Sequence, residues 1–261
     1  MIAVLKGVSR LLLPVLAAGS LLYANVIPSE RIHFHRTYSL PPNGHVIIQN
    51  LYGDVSIMAW DRDEVLVEAI KRSADPRRLD EAHVVVEPSS AGLSIRTQYS
   101  SGDGAHPTSV EYRITVPRAA TLDQVKLING GLWISGLSGA VTASAVNGSI
   151  RAEKLGGYAD LSTINGKLSA EFNHVAAANH ISLSSINGPI SLSIPSRTGA
   201  TVNARNQSGG IQTDFGRAIR GDEGLELHTR INKGGAEIRV HNVNGGISIH
   251  GALDKQSCPN S

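Results

Sequence analysis

Apolar residues in the second half of this chain return in fixed columns around an Asn-Gly step. The step stands at Asn129-Gly130, Asn147-Gly148, Asn165-Gly166, Asn187-Gly188 and Asn244-Gly245. Two residues past the glycine come Leu132, Ile150, Leu168, Ile190 and Ile247; four past it come Ile134, Ala152, Ala170, Leu192 and Ile249. The residues between are small or polar, such as Ser149, Arg151, Lys167 and Ser191. That alternation predicts a half-buried strand opened by each glycine. Upstream, a second alternating run includes Val141, Ala143, Ala159, Leu161, Ile181 and Leu183. Ile128, Val146, Ile164, Ile186 and Val243, two before each glycine, have the opposite parity, which predicts a bend or bulge before the corner. Gly53, with Val55 and Ile57, carries the same register early in the chain.

The first three steps lie 18 residues apart, and Ser208-Gly209 and Lys233-Gly234 read as degenerate copies that fill the gaps. Each unit then holds two short strands and two turns. The second turn is rich in Gly or Pro (136–139, 156–157, 195–199) and takes up length variation over residues 173–180. Glycine suits such turns because it reaches positive φ without steric cost, and asparagine tolerates the same region. Ordering a backbone costs about 1–2 kcal/mol per residue. A unit offers about five apolar side chains, each contributing roughly 1.5–3 kcal/mol at full burial. No unit stands alone, so stability belongs to the series.

The expected fold class is all-β. Two geometries satisfy the pattern. One is a parallel β-solenoid with asparagines stacked at a corner. The other is an antiparallel meander of Asn-Gly hairpins of the type I′ kind. Near-constant period and insertions confined to one turn favour the solenoid.

Residues 30–120 read as a less regular β-rich part, with strands over 32–38, 46–51, 55–60, 65–70, 84–86, 93–97 and 110–116. Asp75-Pro76 reads as a helix start with Asp75 as N-cap, followed by one or two turns. Residues 100–107 read as a polar loop. No linker divides this part from the repeat region over 121–251, so one continuous domain is expected, with the irregular end as its cap. Residues 252–261 read as a disordered tail.

Residues 1–24 read as a secretory signal: Lys6 and Arg10 make a basic start, residues 11–22 are apolar, and Ala24 offers a small residue for cleavage. Such a segment predicts export to the periplasm, outer surface or medium, with membrane contact only if it is retained. Lys6 and Arg10 account for the excess of 24 basic over 22 acidic residues, so the rest of the chain is neutral. A neutral chain lacks the electrostatic footprint of a nucleic-acid binder. Cys258 is the single cysteine and cannot form an internal disulfide.

Candidate chemistry is sparse. His33 and His35, one residue apart on a strand, would share a face, but a metal site needs further ligands. Glu153, Glu171 and Asp214 share the column five past the glycine; stacked in parallel, Glu153 and Glu171 would be neighbours fit for a cation or acid–base work. Trp133 has outward parity and is the best single surface contact, alongside Glu153 and Glu171; Tyr158 and Phe172 are the other main aromatics of the region. No nucleophile elbow, phosphate loop or zinc signature is present, and no catalytic, metal or cofactor residue is assigned.

The phrases Leu-Ile-Asn-Gly-Gly, Ala-Val-Asn-Gly-Ser-Ile, Thr-Ile-Asn-Gly-Lys-Leu, Ser-Ile-Asn-Gly-Pro-Ile and Asn-Val-Asn-Gly-Gly-Ile resemble the bacterial putative-adhesin family with Thr-Val-Asn-Gly-type repeats. The clear resemblance covers residues 122–250 and fades back to about residue 45. It implies a β-solenoid-like, envelope-associated protein with no catalytic residues to carry over. The expected function is therefore an exported, non-enzymatic envelope protein, an adhesin or surface-interaction scaffold for a protein or glycan partner. The alternatives are a polysaccharide-acting β-helix enzyme and a self-assembling structural element.

Overall fold

A computed structural model describes residues 29–252, except 91, 101–107 and 223, with side chains described from residue 34 onward. The signal expected over residues 1–24 and Cys258 lie outside these residues, as do most of the expected loop over 100–107 and tail over 252–261.

Alternating sequence gives strands nearly everywhere. The first seven are β1 (Ser29–Ser39), β2 (His45–Tyr52), β3 (Val55–Trp60), β4 (Glu64–Ser73), β5 (Ala82–Pro88), β6 (Gly92–Tyr99) and β7 (Ser109–Pro117). Then come β8 (Thr121–Asn129), β9 (Leu132–Ser135), β10 (Val141–Asn147), β11 (Ile150–Leu155), β12 (Ala159–Asn165), β13 (Leu168–Phe172), β14 (His180–Asn187) and β15 (Ile190–Pro195). The last are β16 (Ala200–Ser208), β17 (Ile211–Thr213), β18 (Ile219–Gly221), β19 (Gly224–Ile231), β20 (Ala236–Asn244) and β21 (Ile247–Ala252). One 3-10 helix, Pro76–Glu81, follows β4; the Asp75 carboxylate accepts from Arg77 N at 3.0 Å, and Leu79 is buried beneath it.

These strands form two large mixed sheets. The first runs β1-β4-β7-β3-β9-β11-β13-β15-β21-β17, and the second β18-β19-β16-β20-β14-β12-β10-β8-β2-β6-β5. Their inward side chains share one hydrophobic core. Each Asn-Gly unit sends the strand before the step to the second sheet and the strand after it to the first. Strands flanking a step, such as β10 and β11, therefore do not pair with each other; each pairs in parallel with its counterpart in the next unit. The hairpin geometry is not what these strands adopt. We call each such pair of strands a tier.

Tier order departs from chain order. The β20–β21 tier sits between β14–β15 and β16–β17, because β14 pairs β20 and β20 pairs β16, all in parallel. Likewise β8 lies beside β2, and β6–β7 forms a tier on the far side of β2–β3. Gly53 belongs to the glycine column, since Val55 and Ile57 face Leu132 and Ile134 in register. Lys233-Gly234 does not: it is a turn between β19 and β20, and Ile238 lines up with Ile181 in the second sheet. Antiparallel strands finish both ends of the stack: β1, β4 and β5 at one, and β19 and β18 at the other.

Candidate interaction surface

Each corner begins where a strand of the second sheet ends on its asparagine. The five asparagines stand in register across neighbouring tiers. Nδ2 of Asn147 donates to Oδ1 of Asn129 at 2.9 Å, Asn165 to Asn147 at 2.9 Å, Asn187 to Asn165 at 3.0 Å, and Asn244 to Asn187 at 3.0 Å. The amide ladder spans these five tiers and stops where the column changes residue, at Ser208 beyond Asn244 and at Tyr52 beyond Asn129. Backbone bonds follow the same path: Gly148 N donates to Asn165 O at 3.0 Å and Ile150 N to Lys167 O at 2.9 Å. The corner thus pairs its main-chain groups with the next tier rather than within itself.

Glycine is required here by close approach. A Cβ on Gly148 would lie 1.9 Å from the carbonyl oxygen of Gly130, and one on Gly166 2.2 Å from that of Gly148. Gly188 and Gly245 also have positive φ, but Gly130 and Gly148 are not among the positive-φ residues, so crowding between tiers is the shared constraint. Several glycine carbonyls are capped from the inward position three before the next glycine. Thr163 Oγ1 donates to Gly148 O at 3.0 Å, Asn242 Nδ2 to Gly188 O at 3.1 Å, and Asn206 Nδ2 to Gly245 O at 2.8 Å.

The residues of opposite parity turn outward instead of entering a bend. Leu51, Ile128, Val146, Ile164, Ile186 and Val243 stand one residue before the ladder column on six neighbouring strands of the second sheet. Leu51, Ile128, Ile164 and Ile186 are 38–45% exposed; the two valines are half-buried. At the usual strand spacing this apolar rail is roughly 24 Å long. The outward positions beside it on β10, β12 and β14 are Thr142, Ser144, Asp160, Ser162, Ser182 and Ser184, only one of them charged. Charge resumes further along, where Arg239 pairs with Glu237 at 2.6 Å and Arg205 with Glu226 at 3.1 Å. Sequence reasoning missed the rail, although its parity was the signal.

Trp133, Glu153 and Glu171 lie on the outward face of the first sheet. Trp133 is 38% exposed, and its Nε1 donates to Glu153 Oε2 at 3.3 Å. Arg151 grips the same carboxylate and, with a lesser contribution from Trp133, holds it below the usual carboxylate range. Glu153 and Glu171 are not the paired neighbours expected. Ala152 faces Ala170 but Leu155 faces Phe172, so Glu153 and Lys154 occupy one slot opposite Glu171, a bulge with Lys154 at φ 55°. On its other side Glu171 is in register with Ser193. Asp214 stands apart, accepting from Gly251 N at 3.0 Å with His250 alongside; the backbone bond first, then His250, lowers its pKa. These carboxylates form no cluster, and among the described residues no group of three or more His, Cys, Asp or Glu could hold a metal ion.

His35 faces Glu68 at 3.2 Å, while the side chain of His33 lies outside the described residues. Phe172 is core, 1% exposed, and Tyr158 stacks on His180 at 6.0 Å between ring centres. One open surface depression is lined by Asp54, Tyr112, Arg113 and Trp133.

Fold and surface define a class: an all-β protein of two mixed sheets with a repeated Asn-Gly corner. Comparison with solved structures finds likenesses at low identity. A putative cell adhesion protein from Clostridium sporogenes is 13% identical, with a TM-score of 0.48 over 87% of this chain and 100% of that one. A putative adhesin from Bacteroides fragilis is 11% identical, with a TM-score of 0.43 over 84% and 96%. A putative lipid binding protein from Parabacteroides distasonis is 14% identical, with a TM-score of 0.30 over 88% and 96%. No family model and no curated protein matches the chain.

Proposed function

We propose that this is an exported, non-enzymatic β-repeat protein of the bacterial cell envelope, built as one continuous β-solenoid-like stack and acting as an adhesin or surface-interaction scaffold. The observation that carries this reading is the apolar rail, flanked over β10, β12 and β14 by a nearly uncharged outer face. A partner covering it strips water from few charges, and exposed contiguous apolar surface marks contact sites. Separate partners for Glu153 and Asp214 weigh against the polysaccharide-acting alternative. The basic, then apolar, start over residues 1–24 supports export.

Binding of the chain lacking residues 1–24 to purified envelope fractions and arrayed glycans tests the proposal. Retention should fall about tenfold in an Ile164→Lys/Ile186→Lys variant with unchanged thermal unfolding, a loss of about 1.4 kcal/mol. No retention of the wild type on any fraction, or equal retention of the variant, would sink the scaffold reading.

A further inference from the structure

Asn-Gly is the dipeptide in which asparagine loses ammonia most readily. The glycine backbone nitrogen gives up its proton and attacks Cγ of the asparagine. The N–Cγ bond forms, the Cγ–Nδ2 bond breaks, and Nδ2 takes up a proton and leaves as ammonia. Water then opens the succinimide at either carbonyl, leaving aspartate or isoaspartate. The step needs an unengaged glycine N–H, an asparagine backbone rotated away from the extended ψ of a strand, and a side-chain amide able to turn.

The stack withholds the free glycine N–H and the freely turning amide. Gly130 N donates to Asn147 O at 3.1 Å, Gly148 N to Asn165 O and Gly166 N to Asn187 O at 3.0 Å, and Gly188 N to Asn244 O at 2.9 Å. Each asparagine is the last residue of a paired strand. Each amide is held in the ladder, by two bonds at Asn147, Asn165 and Asn187 and by one at Asn129 and Asn244. Asn244-Gly245 differs from the rest. Gly245 N donates to Ser208 O at 2.9 Å, a bond that depends on the last tier, β16–β17. In the first sheet that tier is the three-residue edge strand β17. Ser208, in register with Asn244, carries no amide to continue the ladder.

We infer that the five Asn-Gly corners are fold-gated modification sites, inert while tiers stay stacked and converting to aspartate or isoaspartate when tiers part, with Asn244 converting first. Conversion is directional. A carboxylate at position 244 replaces the donor that faces Asn187 Oδ1 with an acceptor, and isoaspartate inserts a methylene into the main chain at the corner. Either change loosens the tier that holds Gly188 N, exposing the next corner. The inference is independent of what the protein binds.

The full chain is incubated in mildly alkaline buffer with and without denaturing urea, then digested, and each corner is followed by mass spectrometry and by enzymatic methylation of isoaspartate. In urea the five corners should convert at comparable rates. In the native stack Asn129, Asn147, Asn165 and Asn187 should convert at least about a hundredfold more slowly, since reaction must wait for a local opening. Asn244 should fall between the two. Native interior corners converting as fast as in urea, or Asn244 converting no faster than they do, would overturn the inference.

Discussion

Asn165 and Asn147 are 18 positions apart in the chain, yet Nδ2 of the first donates to Oδ1 of the second at 2.9 Å. The bond exists because β10 and β12 run in parallel with these residues in register. Asn165 also accepts from Asn187, so it holds two rungs of the ladder, whereas Asn129 holds one.

That asymmetry makes a prediction. Net hydrogen-bond contributions are about 0.5–1.5 kcal/mol, with exposed amides at the low end. Asn165→Ala should lower unfolding free energy in urea by about 1–2 kcal/mol and Asn129→Ala by about half as much. Equal losses would mean that the ladder is not the source of the effect.

Glycine substitutions should separate crowding from conformation. Gly148→Ala forces a Cβ to 1.9 Å from the Gly130 carbonyl oxygen, so tiers must part; a loss of about 3 kcal/mol is expected, at the upper end of overpacking. A methyl group at Gly210 would meet nothing within 4 Å, and Gly210 has no left-handed φ, so Gly210→Ala should stay within about 0.5 kcal/mol. Chemical denaturation of the two variants side by side checks this.

Thr163 is buried, and its hydroxyl caps the Gly148 carbonyl at 3.0 Å. Thr163→Val keeps the shape but leaves that carbonyl uncapped, which should cost about 1–3 kcal/mol. A thermal shift indistinguishable from wild type would show that the cap is dispensable.

Alkaline pH should act through Tyr112. Burial pushes its phenol up to about 12 from 10.0, and the hydroxyl lies 2.7 Å from Thr97 Oγ1. Thr97 spends its proton on Asn50 Oδ1, so Tyr112 donates, and Asn50 Nδ2 in turn caps Val110 O at 2.8 Å. The folded-state pKa is raised, so stability is full below about pH 10 and falls as pH climbs toward 12, by about 2–3 kcal/mol in all. Burial raises Tyr99 as well. Tyr112→Phe should therefore flatten, without abolishing, the decline measured by unfolding at a series of pH values.

Much of the fold was legible in advance because burial in a strand follows a two-residue alternation. The columns Leu132 to Ile247 and Val141 to Ile181, the early register at Gly53, and the Asp75 cap all follow from local pattern. Lys233-Gly234 misled because Ala236 and Ile238 alternate equally well in either sheet. Glu153 and Glu171 misled because a bulge at Lys154 removes the shared register that column counting assumes. The rail was legible as parity but not as exposure, since a residue of opposite phase can mark either a bend or an outward side chain.

The sequence by itself determined the all-β class, the unit of two strands and two turns, and which positions enter the core. Those features depend on neighbours within a few residues. Tertiary structure alone decided that the strands flanking each Asn-Gly enter different sheets, and that β20–β21 inserts between β14–β15 and β16–β17. The physical reason is that a parallel edge accepts any strand presenting the same alternation. Chain order does not select the partner; the connections that close the stack, with their packing against the shared core, do.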